Sequence, residues 1–302
     1  MCGPTGSGKS ALSVAVAEAH FGEVINCDSL QVYRHFDIGT AKITPTEQHG
    51  IPHHLIDAVE PDKVFTAGDY ARLGRAALDT ISLRHHLPVV AGGTGFYLRA
   101  LLEGLFEGPP RNEALRVRLQ AREARRPGSL HRLLKRWDPA AAARIHANDV
   151  NKITRALEVI LSERQSLTGL FERGRDPLRG YRILELGLNP PRAELYSRLE
   201  RRARAMFEGG LVEEVRGLLA RFPATCKPFE SLGYAQAVAY LEGRLSLDQA
   251  IADTQMFTRR YAKRQWTWFR KEAGIEWLDG FGDEPAMQAK AVQRVADFLA
   301  TV

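Results

Sequence analysis

Residues 3–10 read GPTGSGKS, a glycine followed by four residues and then Gly8-Lys9-Ser10. This is the spacing of a P-loop, in which glycines let the backbone curl until successive N–H groups point inward at an anion. The whole run, Gly3, Pro4, Thr5, Gly6, Ser7, Gly8, Lys9 and Ser10, is therefore a candidate phosphate cradle. Ala11, Leu12, Ala15, Val16 and Ala19 then recur at helical spacing, so a helix should begin near Lys9 and add the positive end of its dipole. Lys9 would reach the outer phosphate oxygens, and the Ser10 hydroxyl would ligate Mg²⁺.

The stretches around the cradle point to an α/β fold with a P-loop NTPase-like parallel sheet core. EVINCDS (23–29) reads as a strand ending at Asp28, and LPVVAGG (87–93) as a buried strand ending in glycines, with helical patterns between. Ligands in such sheets sit at the carboxyl ends of the strands. Only Met1 and Cys2 stand before Gly3, where a P-loop normally follows a complete strand, so either the start is late or the first strand is stunted. From Arg111 the texture changes: residues 111–136 hold nine Lys/Arg and two Glu, with helical apolar spacing through Leu115, Leu119, Leu130 and Leu133. The expected division is a catalytic core over 1–110 and 181–302, ending in long helices, and a mainly helical insertion domain over 111–180. YRILELGL (181–188) reads as the strand that returns the chain to the core.

Composition narrows the function classes. At 302 residues and 44% hydrophobic, the chain can bury a substantial core. No run approaches the roughly 18 apolar residues of a membrane span, and no charged and apolar leader opens the chain, so a cytoplasmic location is expected. Cys2, Cys27 and Cys226 lie too far apart for a CxxC metal pattern and fit a reducing compartment. The charge is uneven: residues 1–105 carry 8 Lys/Arg against 11 Asp/Glu, residues 106–302 carry 34 against 25. A free metabolite needs only a few local cations, so the basic surplus suggests a larger polyanion.

A phosphoryl-transfer enzyme usually places an Asp at the end of a buried strand, to hold metal or orient water. LPVVAGGTGFY ends instead in glycines and Thr94, which allow close backbone approach and offer one hydroxyl. The carboxylate sits in DSLQVY (28–33), where Asp28 is a general-base candidate, with a cap for the next helix as the bland alternative. The adjacent pairs His53-His54 and His85-His86 read as packing or loop residues rather than metal ligands. In MFTRRYAKRQWTWFRKE (256–272), six Lys/Arg are interleaved with five aromatics. On one helix, Phe257, Tyr261 and Trp268 would dock while stripes through Arg260, Arg264 and Lys271 and through Arg259, Lys263 and Arg270 remain for phosphates.

Taken in order, GPTGSGKS, DSLQVYRHFDIGTAK (28–42), PHHLID (52–57), VVAGGTGFYLRALLEG (89–104), NDVNKITRALEV (148–159), LYSRLERRARAMFEGGLVEEV (195–215), SLGYAQA (231–237) and TRRYAKRQWTWFR (258–270) resemble the bacterial tRNA dimethylallyltransferases nearly end to end. The resemblance implies that the P-loop holds dimethylallyl diphosphate and that the allylic group moves to the exocyclic amine of the adenosine 3′ to the anticodon. It implies Asp28 as the base, Arg202 and Thr94 as its catalytic neighbours, Mg²⁺ at Ser10, and a tRNA anticodon stem-loop as partner. It further places tRNA contacts at Asp28, Ser29, Leu30, Gln31, Thr94, Arg116, Asn151, Lys152, Arg155, Ser231, Gly233, Tyr234, Arg260 and Arg264, in a monomer, with 111–180 as the tRNA-binding insertion. Gly6, Ser10 and Lys152 stand where the family more often has Ala, Thr and Arg, and Arg204 replaces an acidic residue and is assigned no role. The rivals are an adenylate isopentenyltransferase acting on free AMP, ADP or ATP, a P-loop small-molecule kinase, and an RNA-binding protein with a relict P-loop. The arginine-rich insertion disfavours the first two, the missing strand-end carboxylate also the second, and intact Lys9, Ser10 and Asp28 the third.

Overall fold

The computed structural model describes residues 1–106, 108–172 and 174–301. The chain divides into two compact units, Met1–Leu102 with Arg179–Val302, and Glu103–Leu178. In the first unit the P-loop runs into α1 (Lys9–Ala19), followed by β1 (Gly22–Asn26), β2 (His53–His54), α2 (Ala67–Leu83), β3 (Leu87–Ala91) and α3 (Gly95–Glu103). The second unit holds α4 (Glu113–Arg125), α5 (Ser129–Trp137), α6 (Pro139–Arg144), α7 (Val150–Glu163) and α8 (Leu167–Glu172). The first unit resumes with β4 (Leu186–Leu188), α9 (Arg192–Glu208), α10 (Leu211–Leu219), α11 (Tyr234–Leu241), α12 (Leu247–Phe269), β5 (Glu276–Leu278) and α13 (Pro285–Ala300).

Among the described residues all strand pairings are parallel, β2-β1-β3 in one sheet and β4-β5 in the other. Two residues join them. The Cys2 N–H donates to the Leu186 carbonyl at 2.9 Å, Leu188 N–H donates back to Cys2 at 3.0 Å, and Gly92 N–H donates to Met1 at 3.1 Å. Met1 and Cys2 thus occupy the slot between β3 and β4 where a P-loop strand belongs, and the effective order is β2-β1-β3-(1–2)-β4-β5. The hydrogen bonding of Met1 and Cys2 describes a stub of a strand. The returning strand is also shorter than YRILELGL suggested, since only Leu186–Leu188 pair.

Leu12 and Val16 of α1 and Met287, Ala291 and Val295 of α13 cover one face of this sheet, against Val24, Val89, Leu188 and Leu278. A second core lies beneath the long helices, where Val32, Tyr33 and Phe36 from the loop after β1 pack on α10, α11 and the start of α12. That packing matters for the site, because it fixes the loop that follows Asp28.

The second unit has its own core around Leu130, Leu134, Ile153 and Leu157. Across it lies a fully buried carboxylate, Glu158 on α7. Arg116 Nε and Nη2 each donate to it at 2.9 Å, Arg155 Nη1 at 2.7 Å and the Asn112 backbone N–H at 2.7 Å. Burial works to raise the Glu158 carboxyl, but these donors outweigh it and hold it down at about 2.

Candidate active site

The P-loop glycines adopt the backbone that the motif demands. Gly8, at φ 88°, is the N-cap of α1, and a Cβ there would stand 2.7 Å from the backbone nitrogens of Gly282 and Asp283. The loop is held from three directions. Lys9 Nζ donates to the Pro4 carbonyl at 2.7 Å, Arg202 Nη2 donates to the Thr5 hydroxyl at 2.8 Å, and the Thr5 N–H donates to Gln265 Oε1 at 2.7 Å. Burial pulls the Lys9 ammonium down to about 8 against the nearby Asp28 carboxylate, which works to raise it. Burial likewise lowers the Arg202 guanidinium, with Asp28 again opposing.

These groups line a cavity of about 270 Å³ with Ser10, Asn26, Asp28 and Arg198 in its wall. Arg198 lies one helical turn before Arg202 on α9, and its guanidinium is paired with both Asp283 carboxylate oxygens, at 2.8 and 3.0 Å. No side-chain cluster of three or more His, Cys, Asp or Glu able to hold a metal exists among the described residues. The exposed Ser10 hydroxyl, at the first turn of α1 in the cavity wall, still suits a magnesium ion, which takes few protein ligands and keeps phosphate oxygens and water for the rest.

Asp28 stands two residues beyond β1. Its Oδ1 accepts the backbone N–H groups of Leu30 at 2.8 Å and Gln31 at 3.3 Å, which folds DSLQ into a turn. No helix follows Asp28 directly, so in place of the expected helix cap one oxygen closes a turn, while the residue also lines two cavities. The second, of about 360 Å³, has Ser29, Leu30, Ser231, Tyr261 and Arg264 in its wall. Thr5, Asp28, Thr40 and Arg202 belong to both. The P-loop cavity and the second cavity are thus neighbours, with the Asp28 carboxylate in the wall of both.

Other expected residues lie elsewhere. Thr94 is in neither wall: its hydroxyl accepts the Ser29 N–H at 3.0 Å and is hydrogen-bonded to the Tyr261 hydroxyl, so it braces the turn after β1. Tyr234 is fully buried, and its hydroxyl pairs with Glu214 and accepts the Gly39 N–H at 3.2 Å; it cannot meet an RNA surface, and instead secures the loop that carries Thr40. Gly233 is buried as the N-cap of α11. Arg116 and Arg155 are committed to Glu158, while Asn151 and Lys152 are exposed on the first turn of α7. On α12, Arg260 and Arg264 are exposed and stack beside Phe257 and Tyr261, each 5.7 Å from the ring centre. The buried face of that helix, however, runs through Thr258, Ala262, Gln265, Trp266 and Phe269, and Arg270 and Lys271 fall beyond its end. The histidine pairs split as packing residues: His54 and His86 both hydrogen-bond Glu23, at 2.6 and 2.7 Å.

Sequence reasoning passed over Asn26, Thr40, Arg198 and Gln265. Arg198 carried a signal, being four residues from Arg202. Gln265 carried none, since its partners are 260 and 172 residues away in the chain.

Fold and site define a P-loop-type α/β enzyme whose P-loop cavity and a second cavity share the Asp28 carboxylate in their walls. Residues 31–272 match the family model described as IPP transferase, and the chain belongs to that family. It is 60% identical to a tRNA dimethylallyltransferase of Solibacter usitatus, over 99% of this chain and 98% of that protein, and 54% identical to one of Koribacter versatilis, over 97% and 96%. Among solved structures it resembles the full-length tRNA isopentenylpyrophosphate transferase of Bacillus halodurans, with TM-score 0.72, 37% identity, and coverage of 99% of this chain and 94% of the other. A eukaryotic dimethylallyltransferase captured acting on tRNA gives TM-score 0.82 at 27% identity, over 99% of this chain and 78% of its own. Among the described residues, no helix is long and apolar enough to cross a membrane.

Proposed function

We propose that the chain transfers a dimethylallyl group from dimethylallyl diphosphate to the N6 amine of the adenosine 3′ to the anticodon of tRNA. The observation that carries this reading is the placement of Asp28 on the wall common to the phosphate cradle and the second chamber. A donor diphosphate lies in the cradle of residues 3–10, its charge met by Lys9, Arg202 and the α1 N-terminus. The target adenine leaves its stack and enters the second chamber, between Ser29, Ser231 and Tyr261. The N6–carbon bond forms as the carbon–oxygen bond to diphosphate breaks; Asp28 takes the amine proton through the oxygen not used in its turn, and diphosphate leaves. Ser10 would hold a magnesium ion, which would help to neutralise charge on the leaving diphosphate.

Arg260 and Arg264, with Asn151 and Lys152 of the basic insertion, contact RNA. Arg116, Arg155 and Tyr234 act indirectly, through the folded shape of their surroundings. The basic surplus after residue 105 disfavours a free nucleotide as acceptor. The test is to incubate the protein with dimethylallyl diphosphate, Mg²⁺ and either bulk tRNA or AMP, then weigh the product nucleosides. Dimethylallyl-adenosine from tRNA and none from AMP is expected; prenylation of AMP alone would transfer the assignment to the free-nucleotide enzymes.

A further inference from the structure

Gln265 is 5% exposed, four residues before the C-terminal end of the 23-residue helix α12, where burying an amide is costly unless both of its ends are hydrogen-bonded. Both ends of its amide are used. Oε1 accepts the Thr5 N–H of the P-loop at 2.7 Å, and Nε2 donates to the Gly93 carbonyl, in the turn after β3, at 2.8 Å. The fit is tight, because a Cβ on Gly93 would lie 2.2 Å from Nε2. Thr5 is thereby gripped twice, by Gln265 at its backbone and by Arg202 at its hydroxyl. One turn earlier on the same helix, Tyr261 reaches Thr94 and lines the second chamber.

We infer that Gln265 is a positioning residue for the diphosphate cradle: it fixes the distance between the P-loop and the glycine turn of β3, so that the loop amides and Arg202 are preset for the anion rather than assembled on it. This rests on the reading of the cradle as a diphosphate site. An amide is the one side chain of this length that accepts from Thr5 and donates to Gly93 at once without charge. A buried polar group satisfied on both sides is rigid, and one satisfied on neither leaves a backbone donor and acceptor orphaned beside the anion site.

Two variants separate positioning from packing. Gln265→Met keeps length and volume but forms neither bond. Gln265→Glu can accept from Thr5 but donates to Gly93 only when protonated. Lys9, Asp28, Arg198 and Arg202 share the cavity, and their titration is common to all the proteins, so each variant is compared with wild type at the same pH. Calorimetry with inorganic pyrophosphate and Mg²⁺ reads the cradle without needing prenyl transfer. At pH 8 both variants should bind at least about tenfold more weakly than wild type; at pH 6 the Glu variant should recover several-fold relative to wild type and the Met variant should not. Binding of a tRNA anticodon stem-loop should stay within about twofold throughout.

A folded Gln265→Met protein that binds pyrophosphate as well as wild type overturns the inference. Should that variant not fold, a Gln265→Glu protein with the same deficit at both pH values overturns it. Failure of the wild-type protein itself to bind pyrophosphate would instead remove the diphosphate reading on which the inference stands.

Discussion

Asp28→Asn is the substitution that separates the two tasks of this residue. Oδ1 accepts from Leu30 and Gln31 at 2.8 and 3.3 Å, and an asparagine carbonyl can accept both, so the turn that shapes DSLQ should survive. The other oxygen becomes an NH₂ group, which cannot take a proton. A general base contributes on the order of 10²–10⁴-fold, so kcat should fall by that factor, equivalent to about 2.7–5.5 kcal/mol of transition-state stabilisation. Asp28→Ala should lose as much activity and, in addition, the capping interactions, typically about 1 kcal/mol and roughly 2–4 °C in melting temperature for a unit of this size. The assay is single-turnover transfer from labelled dimethylallyl diphosphate to an anticodon stem-loop, beside stem-loop binding and thermal melts of both variants. Turnover of the Asn variant within about threefold of wild type would refute the base assignment and return Asp28 to its turn.

Lys9→Ala should raise the KM for the donor at least about tenfold and leave stem-loop affinity unchanged, since it removes a cradle cation and no RNA contact. Glu158→Ala should destabilise the 103–178 unit by about 3–5 kcal/mol, because Arg116, Arg155 and the Asn112 N–H lose a buried partner; hydrogen exchange over that unit reads it directly. The same carboxylate sets an acid limit. Its folded value, about 2, lies below the ordinary 4.5, so its stabilisation is full above that range and is lost as pH falls through about 2, which an acid titration of the same exchange signals would follow. Replacing Arg260 and Arg264 together by Ala should flatten the log–log salt dependence of tRNA binding by about one to two units, each lost phosphate contact counting roughly 0.7–0.9; an unchanged slope would make them solvated surface.

The parts of the site that local chemistry specifies were legible. GPTGSGKS announces its own backbone, and Asp28 and the glycines after β3 fall at strand ends, where an α/β sheet keeps its ligands. The sheet itself was harder to read, because Met1 and Cys2 are too few to show period-2 alternation and only three residues of 181–188 pair. Helix α12 shows the main limit. Its aromatics suggested a docking face through Phe257, Tyr261 and Trp268, yet the buried stripe includes a glutamine, since two long-range hydrogen bonds offset the cost of burying its amide. Arg116 and Arg155 looked like surface cations for the same reason in reverse: their partner, Glu158, is polar in sequence and wholly interior in the fold. Hydrophobic patterning treats every charged or amide side chain as exposed, so satisfied buried polar groups escape it.

The central claim is that the P-loop here holds a leaving group and transfers no phosphoryl group. The most direct measurement is the stoichiometry of diphosphate released to dimethylallyl-adenosine formed, with and without tRNA. Equal amounts of the two with tRNA, and neither without it, are predicted. ATP hydrolysis in the absence of prenyl transfer, or diphosphate release that does not require tRNA, would contradict the account.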